Sequence, residues 1–220
     1  MRDGVQEPLT ISVMRDVINI PTIQTELRKD GIFVIELYNF SATSSGLFRT
    51  ALREFIESGS KKLILDLRGN PGGYLEAAVE IASWFLPGGK VVVTEDYADR
   101  QGDIVHRSRG YNVLSPNVHM VILVDRGSAS ESEILAGALR HYHIARLVGT
   151  NTFGKGSVQE LVSITPDTSL KITVARWLTP DGTQIPAEGI EPDVVAKPTD
   201  EDIKAGKDVI LDKAVEILQK

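Results

Sequence analysis

VILVDRGSASESEILAGAL, residues 121–139, combines a strand, a turn and a helix in one segment. The apolar run VILV predicts a buried strand that ends before Gly127. Apolar residues between positions 134 and 139 then recur at helical spacing. Ser130 is therefore predicted at a strand-to-helix turn, where free backbone N–H groups and the positive end of the helix dipole favour a hydroxyl nucleophile.

GTNTFGKGSVQ, residues 149–159, places Lys155 between two glycines. A serine becomes a nucleophile when a base stands beside it, and lysine can be that base when burial keeps it neutral. Neither segment contains a histidine. The flanking glycines and the neighbouring Phe153 favour a close-packed loop over a lysine on the surface. Ser130 and Lys155 are therefore a candidate nucleophile and base.

Apolar patterns along the rest of the chain alternate between strand and helix. Strands are predicted near 9–14, 32–38, 63–67, 91–93, 119–124, 146–148, 157–164 and 170–176, and helices near 47–56, 75–82, 130–142 and 210–218. The segment RGNPGG (68–73) predicts a glycine-dependent turn, and residues 97–116 predict an exposed loop or hairpin. Thr199 and Asp202 have the spacing of a capping box. The alternation predicts an α/β fold with crossover helices on a largely parallel sheet.

The composition limits the classes of protein to which the chain can belong. It has 220 residues, 42% of them hydrophobic, which is enough for a sizeable core. The net charge of −6 argues against a nucleic-acid partner, and no apolar run approaches the ~18 residues of a membrane span. Because there is no cysteine, disulfides, thiol nucleophiles and thiolate metal sites are excluded. No histidine or carboxylate pair has the spacing of metal ligands.

Four segments resemble the C-terminal processing proteases, also called tail-specific proteases, a serine–lysine peptidase family. They are ILDLRGNPGG (64–73), DRGSASESEILAGAL (125–139), TFGKGSVQ (152–159) and LTPDGTQIPAEGIEPD (178–193). The segments follow the order of the family, and the resemblance covers about residues 16–220. It implies a ClpP/crotonase-like α/β core and a periplasmic, extracellular or lumenal location.

The resemblance also implies a role for individual residues. The family nucleophile is the middle serine of a Ser-Ala-Ser-Ala-Ser-Glu run, which here is Ser130. The general-base lysine of the Phe-Gly-Lys-Gly segment is Lys155, and the glutamine that orients this lysine in several members is Gln159. Ser128 and Ser132, on either side of the nucleophile, are predicted to have capping or packing roles.

The family oxyanion hole uses backbone N–H groups of the Asn-Pro-Gly-Gly turn and of the residue after the nucleophile. In this chain these positions are Gly72 or Gly73, and Glu131. Glu131 departs from the family, which usually has alanine there. If only the backbone N–H of Glu131 is used, its side chain is tolerated. A carboxylate close to Lys155 would instead favour the ammonium form and weaken the base.

The resemblance divides the chain into three regions. Residues 1–16 are predicted to be a remnant strand or linker, because most members carry a PDZ domain before the core and residues 4–16 resemble its last strand. Residues 17–196 are predicted to form the protease core, and residues 197–220 a C-terminal amphipathic helix.

The function implied is a serine endopeptidase that cleaves protein substrates near their C-termini, without a cofactor or metal. Its partners would be proteins or peptides bound in extended form, and a homo-oligomer is compatible with this function. The alternatives are a non-catalytic binding protein on the same fold and a crotonase-type acyl-CoA enzyme that uses the glycine turn as an oxyanion hole. A Ser–His arrangement through His141 or His143 is a further alternative. Asp66 and Arg68 are predicted to form a structural ion pair.

Overall fold

The structure is a computed structural model, which describes residues 11–14, 21–98 and 102–220. Its strands and helices, in chain order, are β1 (Ile23–Leu27), β2 (Phe33–Leu37), α1 (Ser44–Glu57), β3 (Lys62–Asp66), α2 (Leu75–Ser83), β4 (Val91–Asp96), β5 (Ile104–Arg107), β6 (His119–Val124), α3 (Glu131–His141), β7 (Ala145–Gly149), β8 (Ser157–Thr165), β9 (Thr168–Leu178), β10 (Val194–Val195), α4 (Asp200–Lys204) and α5 (Val209–Gln219).

The main sheet of the described residues has the strand order β1-β2-β3-β6-β7-β10. β1 runs antiparallel to β2, and the other neighbouring pairs are parallel. β3 and β6 lie in the middle and carry continuous apolar runs, because both faces of a central parallel strand are buried. The predicted α/β class with a largely parallel sheet is confirmed.

Alternate side chains of the main sheet face two different layers of helices. One face, which includes Ile35, Leu65 and Ile122, packs against α1, α2 and α3. The other face, which includes Ile64 and Val121, packs against α5. This division follows from the two-residue period of a strand. The carboxyl ends of β3 and β6 lead into the loops that carry the predicted site, at the edge where parallel α/β sheets usually bind ligands.

A second sheet, with the order β5-β4-β9-β8, is entirely antiparallel. The sequence predicts β4, β8 and β9 but not this sheet, because strand periodicity does not specify a partner. Within residues 97–116, β5 returns along β4 as a hairpin, in agreement with the expected loop or hairpin. β8 lies at one end of the second sheet and begins at Ser157, just beyond Lys155 and Gly156.

The start of the described chain differs from the prediction. Residues 11–14, part of the strand predicted at 9–14, have no regular secondary structure, and positions 9 and 10 lie outside the described residues. β1 is a strand that the sequence pattern misses. Four of its five residues are exposed, so its side chains show little of the alternation that marks a half-buried strand.

Two helices occupy the range 197–220, for which the sequence predicts one. α4 begins with the predicted capping box, in which the Thr199 hydroxyl accepts the backbone N–H of Asp202 at 3.1 Å. A turn containing Gly206, at φ 66°, separates α4 from α5. Of the helices in the described ranges, none is long and apolar enough to cross a membrane.

Candidate active site

Ser130 lies at the junction between β6 and α3, as the sequence predicts. It is the N-cap residue of α3, and only 5% of its surface is exposed. Its backbone has φ 57° and ψ −112°, which a residue other than glycine rarely adopts and which costs on the order of 1–3 kcal/mol. Strain of this kind is concentrated at functional sites, because the surrounding structure must hold it in place.

The turn at residues 68–73, called here the glycine turn, is fixed by the side chain of Asn70. Asn70 is fully buried. Its Nδ2 donates to the carbonyl of Leu37 at 2.7 Å, and its Oδ1 accepts the backbone N–H of Gly72 at 2.9 Å. The carbonyl of Asn70 accepts the backbone N–H of Ala129 at 3.0 Å. The glycine turn is therefore bound directly to the residue before Ser130.

Ser128 and Ser132 support the same region from either side of Ser130. Both are fully buried. The Ser128 hydroxyl donates to the carbonyl of Leu67 at 2.8 Å, and the Ser132 hydroxyl donates to the carbonyl of Asn70 at 2.9 Å. The packing role predicted for these two serines is confirmed.

The two glycines at the end of the glycine turn leave no room for a side chain. Gly72 and Gly73 have φ of 102° and 154°. A Cβ on Gly72 would lie 2.9 Å from the Ser130 Cβ, and a Cβ on Gly73 would lie 2.2 Å from the Phe40 carbonyl oxygen. The backbone of the turn can approach the serine this closely only because these positions are glycine.

Glu133 connects Ser130 to the loop that carries Lys155. Its carboxylate is fully buried and accepts four hydrogen bonds. Oε2 accepts the backbone N–H groups of Ser130 and Lys155, each at 2.9 Å. Oε1 accepts the Thr152 hydroxyl at 2.6 Å and the backbone N–H of Gly154 at 2.8 Å. A buried carboxylate is stable when its lone pairs are used in this way.

The segment after β9 packs tightly on the glycines that flank Lys155. A Cβ on Gly154 would lie 2.1 Å from the carbonyl oxygen of Ala187, and a Cβ on Gly156 would lie 2.3 Å from that of Ile185. The expected close-packed loop is confirmed. Phe153 is not what packs it, because 54% of its side chain is exposed.

The six residues predicted for the site line one cavity of about 470 Å³. They are Gly72, Gly73, Ser130, Glu131, Lys155 and Gln159. The other residues that line it are Pro71, Ser157, Val158, Lys171 and Trp177. The fold therefore brings together the glycine turn, the Ser130 turn, and the Lys155 loop with the start of β8, and β9 completes the lining.

The Glu131 side chain points to the glycine turn. Its Oε2 accepts the backbone N–H of Gly73 at 2.6 Å, and the residue is only 6% exposed. Among the ion pairs of the described residues there is none between Glu131 and Lys155. The Glu131 carboxylate therefore does not form an ion pair with Lys155.

Glu133 and Lys171 are site residues that the sequence does not single out. The signal for Glu133 is its position three residues after Ser130, which is the spacing of a capping box. The signal for Lys171 is absent from the sequence, because it depends on the register of β8 with β9. Gln159 lies opposite Thr173, and Leu161 lies opposite Lys171, so Gln159 and Lys171 are diagonal neighbours on one face.

The Ser–His alternative is wrong. His141 ends α3 and His143 follows it, whereas Ser130 is the N-cap residue at the other end of the same helix. A helix of 11 residues separates its two ends by about 15 Å. Neither histidine lines the cavity that contains Ser130.

Asp66 and Arg68 form the structural ion pair that the sequence predicts. Arg68 Nη2 lies 2.6 Å from Asp66 Oδ2, and Arg68 Nη1 lies 2.7 Å from Asp208 Oδ1 at the start of α5. Burial raises the pKa of Asp66, although the Arg68 guanidinium acts in the opposite direction. The pair joins the end of β3 to the N-terminus of α5 and takes no part in the cavity.

Residues 31–196 match Peptidase family S41. A carboxy-terminal processing protease of Bacillus subtilis (strain 168), CtpA, is 35% identical over 189 residues, which are 86% of this chain and 40% of the relative. The carboxy-terminal-processing protease of Bartonella bacilliformis is 36% identical over 216 residues, which are 96% of this chain and 49% of the relative. The chain therefore belongs to peptidase family S41, and it spans less than half the length of these two relatives.

Solved structures agree with this assignment. The photosystem II D1 C-terminal processing protease matches with a TM-score of 0.74 at 28% identity, over 92% of this chain and 54% of the other. The tricorn protease matches with a TM-score of 0.53 at 18% identity, over 85% of this chain and 17% of the other, a likeness of fold alone. The ClpP-like α/β core expected from the sequence is confirmed.

Proposed function

We propose that the protein is a serine endopeptidase that cleaves protein substrates near their C-termini, with Ser130 as nucleophile and Lys155 as general base. The observation that carries the proposal is the shared carboxylate of Glu133, which holds the backbones of both residues at the wall of one cavity. The strained backbone of Ser130 and the adjacent glycine turn support the same assignment.

In the proposed reaction the Ser130 Oγ attacks the carbonyl carbon of the scissile peptide bond, and its proton passes to the neutral amine of Lys155. The tetrahedral intermediate collapses, the C–N bond breaks, and the Lys155 ammonium gives the proton to the leaving amine. A water molecule, deprotonated by Lys155, then hydrolyses the acyl-enzyme and restores the Ser130 hydroxyl. Gln159, in the same cavity, is proposed to orient the lysine.

The developing oxyanion requires backbone donors close to Ser130. The N–H of Gly72 donates to Asn70, a fully buried side chain that fixes the turn, whereas the N–H of Gly73 donates to the Glu131 carboxylate at the cavity, so Gly73 is the donor that we propose for the glycine turn. The second proposed donor is the N–H of Glu131, which begins α3 and therefore has no acceptor within the helix. Two donors from different segments would then meet at the oxyanion.

Two features support a substrate bound as an extended chain. β8 lies at the end of the second sheet, so one of its edges is available for strand addition. The cavity begins beside this strand, where Ser157, Val158 and Gln159 contribute to its lining. Cleavage near the C-terminus is proposed because relatives that match this chain are named carboxy-terminal processing proteases.

The test uses an unstructured protein, casein, incubated with the wild type and with Ser130→Ala. Mass spectrometry of the products gives the bonds that are cut. Cleavage near C-termini by the wild type alone, with labelling of Ser130 by a fluorophosphonate, is the expected result. If both proteins leave casein intact and the probe does not label Ser130, the chain is a binding protein on a peptidase fold.

A further inference from the structure

The proposed oxyanion donor of the glycine turn, the N–H of Gly73, already has an acceptor in a side chain of the protein itself. Glu131 Oε2 accepts the N–H of Gly73 at 2.6 Å. The same oxygen lies so close to Gly72 that a Cβ there would be only 2.3 Å from it, and such a Cβ would also be 2.9 Å from the Ser130 Cβ. The carboxylate thus lies against the glycine turn where the turn approaches Ser130, and it holds the donor proposed for the turn.

We propose that the Glu131 side chain is an internal mimic of the oxyanion, which the substrate carbonyl must displace from Gly73 before Ser130 can react. The inference rests on the proposed function. A carboxylate oxygen carries the negative charge that the tetrahedral intermediate would present, and its hydrogen bond is stronger than that of a neutral amide carbonyl. The side chain therefore competes with the bound substrate more effectively than with the transition state.

One residue supplies both the second donor and the competing acceptor. The backbone N–H of Glu131 begins α3, while its own carboxylate reaches back to Gly73. Displacement of the carboxylate must be driven by other contacts of the substrate, such as those along β8 beyond Gln159. Substrates that make many such contacts are favoured over short ones, because binding energy from remote parts of the substrate offsets the displacement. Glu131 is thereby a specificity-determining residue for substrate length.

The experiment compares the wild type with Glu131→Ala and Glu131→Gln. The first variant removes the acceptor, and the second keeps an oxygen without its charge. Glu76→Ala is the matched control, since Glu76 is an exposed carboxylate in the first turn of α2, a few residues after Gly73. Two quantities are measured, the NMR shift of the Gly73 amide proton and the rate at which a small fluorophosphonate reacts with Ser130. Thermal unfolding checks that each variant is folded.

The Gly73 amide proton should move upfield in Glu131→Ala and by less in Glu131→Gln. Ser130 labelling should be about 10-fold or more faster in Glu131→Ala, the size expected for loss of one competing charged hydrogen bond, and intermediate in Glu131→Gln. The gain should be smaller for cleavage of casein than for the small probe. Glu76→Ala should match the wild type in both measurements.

The outcomes separate this proposal from the proposed function. Equal or slower labelling in Glu131→Ala, with Ser130 still labelled in the wild type, would overturn the displacement and leave the protease assignment intact. An unchanged Gly73 resonance in folded Glu131→Ala would show that the contact is absent in solution and would also overturn it. If no variant is labelled at Ser130 and casein is uncut, the proposed function fails and the displacement fails with it.

Discussion

Glu133 Oε2 accepts the backbone N–H of Lys155 at 2.9 Å, across 22 residues of sequence. The same oxygen accepts the backbone N–H of Ser130 at 2.9 Å. One buried carboxylate therefore fixes the proposed nucleophile and the proposed base through their main chains. The contact makes no use of the Ser130 hydroxyl or the Lys155 amine, so it can position both groups without engaging the atoms that would react.

Glu133→Gln should destabilise the protein and slow the reaction of Ser130. Whichever way the glutamine amide turns, its NH₂ group would face at least one backbone N–H, so at least one of the four hydrogen bonds is lost and a buried donor is left unsatisfied. We expect the free energy of unfolding to fall by about 2–4 kcal/mol, measured by urea titration. Labelling of Ser130 by a fluorophosphonate should slow by about 100-fold or more, the size expected when a reacting group is misplaced by about 1 Å.

Glu160→Gln is the control for this change, because Glu160 is an exposed carboxylate on β8. The free energy of unfolding of Glu160→Gln should lie within about 0.5 kcal/mol of the wild-type value. Wild-type stability in Glu133→Gln would show that the four hydrogen bonds do not exist in solution. Wild-type labelling in a destabilised Glu133→Gln would show that they do not position the serine.

Ser130→Ala and Ser130→Gly should both abolish cleavage of casein but should differ in stability. Alanine at position 130 keeps the strain of a positive φ, whereas glycine adopts this φ without strain. Relief of strain of about 1–3 kcal/mol outweighs or balances the extra chain entropy of glycine, about 0.5–1 kcal/mol. Ser130→Gly should therefore be at least as stable as Ser130→Ala by thermal unfolding. A clearly less stable glycine variant would mean that the Ser130 backbone is relaxed.

Lys155→Arg should be as inactive as Lys155→Ala. Arginine stays protonated at any working pH and cannot take the proton from Ser130. Lys155 is half-buried at the wall of the cavity. The free energies of unfolding of both variants should therefore be close to that of the wild type. Casein cleavage is measured beside urea titrations of the two variants. An arginine variant that keeps most of the activity would show that a group other than Lys155 accepts the proton of Ser130.

The unit formed by β6, the Ser130 turn and α3 could be predicted from sequence because its signals are local. An apolar run, a glycine and a helical period lie within one continuous segment. The largely parallel character of the main sheet also follows from alternating strands and helices, whereas its strand order, in which β6 pairs with β3, does not. The second sheet could not be predicted, because β5, β6, α3, β7 and β8 lie in the chain between its partners β4 and β9, and strand periodicity does not identify a partner.

The candidate site also has residues that the sequence predicts and a contact that it does not predict. Their motifs identify Ser130, Lys155 and Gln159, and in the structure all three line one cavity. The hydrogen bond from Gly73 to Glu131 spans 58 residues and depends on where a side chain turns within the folded cavity. No spacing in the sequence encodes that direction. The sequence could mark Glu131 as a departure from the family but could not say which group its carboxylate contacts.

Asp208→Asn and Asp208→Ala should separate two roles of one side chain. Asp208 accepts the backbone N–H of Leu211 at 3.0 Å as the N-cap of α5, and it pairs with Arg68 at 2.7 Å. Asparagine is as good a cap as aspartate but has no charge, whereas alanine loses both contacts. At pH 7 we expect Asp208→Asn to lower the free energy of unfolding by about 0.5 kcal/mol, because the ion pair with Arg68 is partly exposed. Asp208→Ala should lower it by about 1 kcal/mol more, because the helix cap is also lost.

The pH dependence follows from the pKa of Asp208. Burial alone would raise this pKa, but hydrogen bonds from Arg68 and from the N–H of Leu211 together hold it below its ordinary value. A lowered folded-state pKa contributes stability that is present above the unfolded value of about 3.9 and is lost as the pH falls through the folded one. Urea titrations between pH 7 and pH 2.5 should therefore show Asp208→Asn converging on the wild type below about pH 4, while Asp208→Ala stays less stable because its missing cap does not titrate. A constant gap between Asp208→Asn and the wild type over this range would show that the ion pair with Arg68 contributes nothing and that the amide itself perturbs the helix.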